Sequence, residues 1–179
     1  MTQPWVSADT EIWGFDAEDS ILWYPDTTAS LVWDLLGNYE ACSPELGLRN
    51  SGYLDYTHTN DDLKLILNEM YTTPGFCYNF YHFQVPDPSA AYFLQFRGTY
   101  GGNTDHYVQF QAFNFDTTAY VTFLTLQTST FTQDYFANIP TGAEYFDGDT
   151  LLIRTYHPVA GIKGHLFRIN YWRLHEGSV

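Results

Sequence analysis

YFLQFRGTYGGNTDHYVQFQAFNF, residues Tyr92–Phe115, decides how the rest of the chain is read. Leu94 and Phe96 alternate with Gln95 and Arg97, and Val108, Phe110 and Ala112 alternate with Gln109 and Gln111. A period of two belongs to strands that turn one face to a core. The glycine-rich Gly98–Asn103 reads as their connection. The alternation predicts Phe96 and Phe110 inside with Gln95 and Gln109 outside. Carried down the chain, it puts Ile153 inside and Arg154 outside. A slip of one residue would reverse every one of these faces.

Working outward, strands are expected near Cys77–Val85, Ala91–Arg97, Tyr107–Phe115, Tyr120–Gln127, Asp134–Ile139, Leu151–Tyr156 and Leu166–Leu174. Turn formers separate them: Pro86-Asp-Pro88, Asp116-Thr-Thr, Pro140–Gly142, Asp147-Gly-Asp149 and Pro158–Gly164. Short strands at this spacing predict an all-β sandwich or barrel. Toward the N-terminus, Ser20–Asp34 reads as a hairpin, with Pro25 and Asp26 suited to its turn. Leu35–Asp55 is dense in Gly, Asn and Pro and reads as loop with short strand fragments. Thr59–Tyr71 predicts one short helix, because Leu63, Ile66, Leu67 and Met70 fall at i, i+3, i+4 and i+7. Thr59 and Asp62 resemble its capping box. A strand through Leu63–Leu67 is the alternative. The division drawn is an acidic part, residues 1–75, with arm, hairpin and helix, followed by a sandwich domain, residues 76–179.

Aromatic residues make up 19 % of the chain and charged residues 16 %, the latter below the roughly 25 % of ordinary domains. A surface so sparse in charge fits either cover by another chain or a polar uncharged coat. The net charge is −14, and 13 of the 21 acidic residues lie in the first 75 positions. That field repels nucleic acid, which is rejected as a partner. MTQPWVSADTEIWGF lacks the basic start and apolar run of a signal peptide, and no apolar run is long enough for a bilayer span. No membrane partner is therefore expected. Cys42 and Cys77 are far apart and are read as two buried free thiols, with a single bridge left open.

His157 and His165 bracket PVAGIKG and could meet across a hairpin, where Asp147 or Asp149 could lie near. Zinc needs at least one more ligand than the two imidazoles. The structural alternative gives each imidazole a loop carbonyl. The expectation is no metal and no cofactor. Asp147-Gly-Asp149 and Asn103-Thr-Asp105 read as turns, not calcium loops. Nucleophile-elbow, phosphate-loop and dinucleotide glycine patterns are absent from the sequence. No catalytic residue is assigned, and a non-enzymatic protein is expected. Tyr100, Tyr107 and Tyr120 are candidates for stacking on sugar rings or for contacts between subunits. Trp5, Trp13 and Phe15, in an irregular acidic segment, are candidates for docking on a partner.

The succession FYHFQVP, RGTYGG, HYVQFQAFNFDTTAYVTFL and EYFDGDTLLIRTYHPVAGIKGHLFRINYWRL resembles the jelly-roll domains of virion proteins of tailed bacteriophages and related tail adhesins. The residues that carry it are Phe113-Asn114-Phe115, Tyr120, Arg154, His157, His165 and Asn170-Tyr171. The pattern usually has Asp at position 170 and often Trp at position 120. The resemblance spans residues 76–175, with the WYPDTTASLVW hairpin as the strand pair before it. It implies a jelly-roll-like β-sandwich and a structural role at the virion surface after synthesis in the host cytoplasm. The role implied first is capsid decoration (a cement protein). Its partners would be the major capsid protein or another virion protein, and further copies of itself as a dimer or trimer. The alternative is an adhesin or receptor-binding module of a tail or fibre that binds a host glycan.

Overall fold

The computed structural model describes residues 21–25, 31–35, 38–41, 48–52, 54–57, 60–82, 85 and 87–179. The strands are β1 (Ile21–Pro25), β2 (Leu31–Leu35), β3 (Asn38–Ala41), β4 (Leu48–Ser51), β5 (Leu65–Asn68), β6 (Phe76–His82) and β7 (Tyr92–Tyr100). They continue with β8 (Tyr107–Asn114), β9 (Ala119–Gln127), β10 (Gln133–Asn138), β11 (Phe146–Asp147), β12 (Thr150–His157) and β13 (Leu166–Glu176). β1 and β2 form the expected hairpin, with Trp23 opposite Trp33. Two larger antiparallel sheets make the sandwich. One runs β10-β7-β13-β5-β4; the other runs β3-β6-β12-β8-β9, with β11 paired to β12.

The two halves of the opening stretch, β7 and β8, lie in different sheets. Gly101–His106 is therefore a crossover from one layer to the other, which places the inward faces of β7 and β8 against each other. Phe96 meets Phe110 at 5.0 Å between ring centroids. Trp172 of β13 stacks on Phe80 of β6 at 4.1 Å and lies 5.6 Å from Phe110. Its indole N–H donates to Nε2 of His82 across the layers at 3.1 Å, so the ring is buried with its one donor satisfied. Phe96, Phe110 and Ile153 are fully buried, while Gln95, Gln109 and Arg154 are not part of the core. The predicted faces hold. The all-β, jelly-roll-like sandwich read from the sequence is the fold observed.

The predicted helix at Thr59–Tyr71 is not formed. Across the described residues 60–71 the chain runs as bends and the strand β5, and the only helical turns described are 3-10 turns at Leu54–Thr57 and Ala143–Tyr145. Leu65 and Leu67 are fully buried while Leu63 is 49 % exposed, so the apolar period that counts is two. β5 is ladder-bonded on both sides, to β13 and to β4. Backbone pairing on two edges, with both leucines in the core, outweighs a helix propensity worth only tenths of a kcal/mol per residue. A division between residues 75 and 76 is not a division of the sheets, because β3 pairs with β6, and β5 pairs with β13.

Cys77 is disulfide-bonded, which corrects the reading of two free thiols. The chain's only other cysteine is Cys42, outside the described residues. Ala41, which precedes it, lies opposite Tyr78, which follows Cys77. The pairing of the short strand β3 with β6 carries no propensity signal strong enough to find in the sequence. Trp5, Trp13 and Phe15 lie outside the described residues.

Candidate functional site

The outward face of the β6-β12-β8-β9 sheet carries a row of aromatic and planar polar side chains. Alternation puts them there: Leu151, Ile153, Thr155 and His157 point inward and are fully buried. Arg154 and Tyr156 therefore share the opposite face of β12. Arg154 pairs in register with Gln111 of β8, and Gln111 with Thr122 of β9. The Arg154 Nε–H donates to Oε1 of Gln111 at 2.7 Å. The Gln111 amide then donates to Gln109 Oε1 at 3.1 Å and Thr122 Oγ1 at 3.0 Å. The Arg154 guanidinium lies over two rings, 3.4 Å from the Tyr120 centroid and 4.4 Å from that of Tyr156. Burial draws the Arg154 pKa down, and the neighbouring Tyr120 and Tyr156 oppose that. The face offers ring surfaces, a held cation and amide groups side by side.

A second cluster closes one end of the sandwich, where strand ends from both sheets meet. Glu69 follows β5 and Tyr100 ends β7. His106 precedes β8, His157 ends β12 and His165 precedes β13. Glu69 is fully buried. Its Oε2 lies 3.2 Å from Nδ1 of His106 and 3.2 Å from Nδ1 of His165, and its Oε1 lies 3.3 Å from Nε2 of His157. His157 Nε2 and His106 Nδ1 are 3.1 Å apart, and the Nδ1 atoms of His165 and His106 are 3.3 Å apart. The Tyr100 hydroxyl donates to Glu69 Oε1, and the Ile162 N–H donates to Oε2 at 2.6 Å. Burial, then the Glu69 carboxylate, hold the Tyr100 hydroxyl above its ordinary range. Burial pulls the His157 pKa down, and Glu69 opposes it.

The connection 158–164 is pressed onto this cluster at Gly161, where an added Cβ would stand 2.1 Å from the Met70 carbonyl oxygen. Only glycine permits that approach. The expected pair His157 and His165 do converge on Glu69, but not across a hairpin, because β12 and β13 belong to different sheets. Their company is Glu69 and His106, not Asp147 or Asp149. The carbonyl reading describes half of the pair: His157 Nδ1 meets Val159 O at 2.9 Å, whereas His165 turns to Glu69 and His106.

No family model matches the chain, and no curated protein does. Solved structures do. "Carbohydrate binding module family29" is 13 % identical with a TM-score of 0.53, over 80 % of this chain and 82 % of that one. A variant of a family 29 module complexed with cellulohexaose has a TM-score of 0.51 at 13 % identity, over 80 % of this chain and 84 % of that one. Another, complexed with mannohexaose, has a TM-score of 0.50 at 15 % identity, over 84 % and 86 %. The likeness is one of fold.

Of the three loop tyrosines singled out in the sequence, Tyr120 belongs to the outward face, on β9 and under Arg154. Tyr107 is half-buried at the start of β8. Tyr100 is fully buried and bonded to Glu69, so it is neither a sugar platform nor a subunit contact. It ends a strand rather than occupying the loop, and its ring points into the sandwich. Tyr156 was legible as a companion of Arg154, two positions on and so on the same face, but was not singled out. His106 carried no spacing signal, because a long crossover, not a motif, delivers it. Glu69 was hidden by the helix reading.

Proposed function

We propose that this protein is a non-catalytic carbohydrate-binding module that holds an oligosaccharide along the outward face of the β6-β12-β8-β9 sheet. The observation that carries the reading is the Tyr120–Arg154–Tyr156 stack with its amide row, set on a fold shared with carbohydrate-binding modules. Sugar rings have flat C–H faces that lie on aromatic rings, and rims of hydroxyls that pair with planar amides and guanidinium groups. Few convergent polar groups amid aromatic surface is the make-up of a small-molecule site. Tyr156 supplies the ring and Arg154 the directed donors, while Gln111, its amide protons given to Gln109 and Thr122, holds the guanidinium in place. The first ligands to try are cellohexaose and mannohexaose, the hexaoses with which the similar modules are complexed.

The disulfide at Cys77 favours a working place outside a reducing cytosol, where polysaccharides are met. A place on a virion is a second proposal. It rests on the sequence resemblance over residues 76–175, and a glycan-binding role suits the tail adhesins of that resemblance better than its decoration proteins. Titration calorimetry with cellohexaose and mannohexaose tests the binding reading. Heat of binding that disappears in Tyr156→Ala supports it. Binding unchanged in that variant would move the site elsewhere.

A further inference from the structure

We propose that Glu69, His106, His157 and His165 bind one divalent transition-metal ion, zinc foremost, as a clip between the two sheets. Five separations among their ligand atoms are 3.1, 3.2, 3.2, 3.3 and 3.3 Å. An ion held tetrahedrally at about 2.0–2.1 Å sets its ligand atoms about 3.3–3.4 Å apart. Glu69, His106 and His157 have the edges of one face of such a tetrahedron, and Glu69, His106 and His165 those of a second, with Glu69 reaching His157 through Oε1 and the other two through Oε2. Glu69, His106 and His157 bring their ligand atoms within 4.8 Å of one another, all three residues being buried; His165 stands beside that set, its Nδ1 3.2 Å from Glu69 Oε2 and 3.3 Å from His106 Nδ1, and would complete the fourth position when the ion draws it in.

Hydrogen bonding alone does not account for this packing. His157 Nδ1 lies 2.9 Å from the Val159 carbonyl oxygen, which only accepts, so that nitrogen carries the proton. In the neutral ring Nε2 then holds a lone pair, aimed at a carboxylate oxygen and at His106 Nδ1. His106 Nδ1 has one in-plane site, yet faces Glu69, His157 and His165 together. With neutral rings the cluster has at most two protons, on the Nδ1 atoms of His106 and His165, for five contacts. At least three contacts are then lone pair against lone pair. A cation at the centre makes all of them favourable at once.

Charge points the same way. Glu69 is fully buried, and its ion-pair partners among the described residues are histidines, with no Lys or Arg. A buried carboxylate needs a compensating charge. The Tyr100 hydroxyl and the Ile162 N–H orient it, and the Val159 carbonyl orients His157, which are the outer hydrogen bonds that ligands of a metal require. Three imidazoles and a carboxylate suit zinc and its first-row neighbours, not calcium or magnesium. Four protein donors leave a tetrahedral ion no open position, which is the mark of a structural site. Glu69 and His165 flank strands of one sheet; His106 and His157 flank strands of the other. The ion would fasten them where the sandwich ends.

The test uses the full chain, free of any affinity tag, stripped with chelator and titrated with Zn²⁺ alone. One equivalent is expected to bind and to raise the melting temperature by about 5–15 °C. Co²⁺ in its place should give the intense visible absorption of a tetrahedral site. His165→Gln, at a side chain 15 % exposed, should weaken Zn²⁺ about 10–100-fold, and His175→Gln, outside the cluster, should not. Failure of the wild type to take up Zn²⁺, uptake with no change in melting temperature, or equal affinity in His165→Gln and His106→Ala would each overturn the proposal. If a variant does not fold, the Co²⁺ spectrum of the wild type decides: six-coordinate pale absorption contradicts the site.

Discussion

The Arg154 guanidinium carbon lies 3.4 Å from the centroid of the Tyr120 ring, and the same side chain donates to Gln111. One cation thus fixes an aromatic ring of β9 and an amide of β8 from its place on β12. A cation held on a ring face and partly desolvated is worth about 0.5–2 kcal/mol. Removing it also leaves the nearly buried Gln111 oxygen without its donor. Arg154→Ala should therefore cost roughly 1–3 kcal/mol in urea unfolding. Arg154→Lys should recover little, because an ammonium neither stacks flat nor forks. Full recovery by lysine would mean that charge alone matters here.

Phe110 sits among Phe96 at 5.0 Å, Trp172 at 5.6 Å and Phe167 at 6.0 Å. Phe110→Ala should destabilise by about 3–5 kcal/mol, as large cavities in aromatic cores do. A loss below about 1 kcal/mol would contradict this placement.

Strand faces were legible because burial follows a period of two, and Phe96, Phe110 and Ile153 sit where alternation puts them. β5 was not, because LKLIL satisfies both periods and only its pairing partners, far off in sequence, decide between them. Arg154 was visible on the outward face and Tyr120 only as a loop aromatic, and their stacking depends on register between β9 and β12 across β8. The Glu69 cluster was less legible still. His157 and His165 shared a short segment, whereas Glu69 and His106 reach them through chain crossovers whose paths no local pattern encodes.

His175 supplies a pH dependence. Burial, then the nearby Arg173, lower its pKa to about 4 from 6.5. It stacks on Phe93 at 4.6 Å and its Nε2–H donates to Gln95 at 3.0 Å. Between those two values the unfolded chain binds the proton and the folded one does not. Stability is thus in place above pH 6.5 and is lost as pH falls toward 4. His175→Gln should flatten that part of the stability curve, and proton NMR should find the ring still neutral at pH 5. A ring titrating near its ordinary value would refute the assignment.

The disulfide at Cys77 should be worth about 2–4 kcal/mol. Cys77→Ser, or reduction of the wild type, is expected to lower the urea midpoint accordingly. Equal midpoints for oxidised and reduced protein would show that the bridge contributes nothing to the fold.

Most direct of all is calorimetry of the oxidised full chain against cellohexaose and mannohexaose, in parallel with Tyr156→Ala and Asp61→Ala. Asp61 lines a polar cleft of about 450 Å³ with Lys64, Arg97 and Asn170. The account predicts that at least one hexaose binds the wild type and Asp61→Ala alike, and that Tyr156→Ala loses at least tenfold in affinity. Binding that survives in Tyr156→Ala and vanishes in Asp61→Ala, or no binding of either sugar, would contradict it.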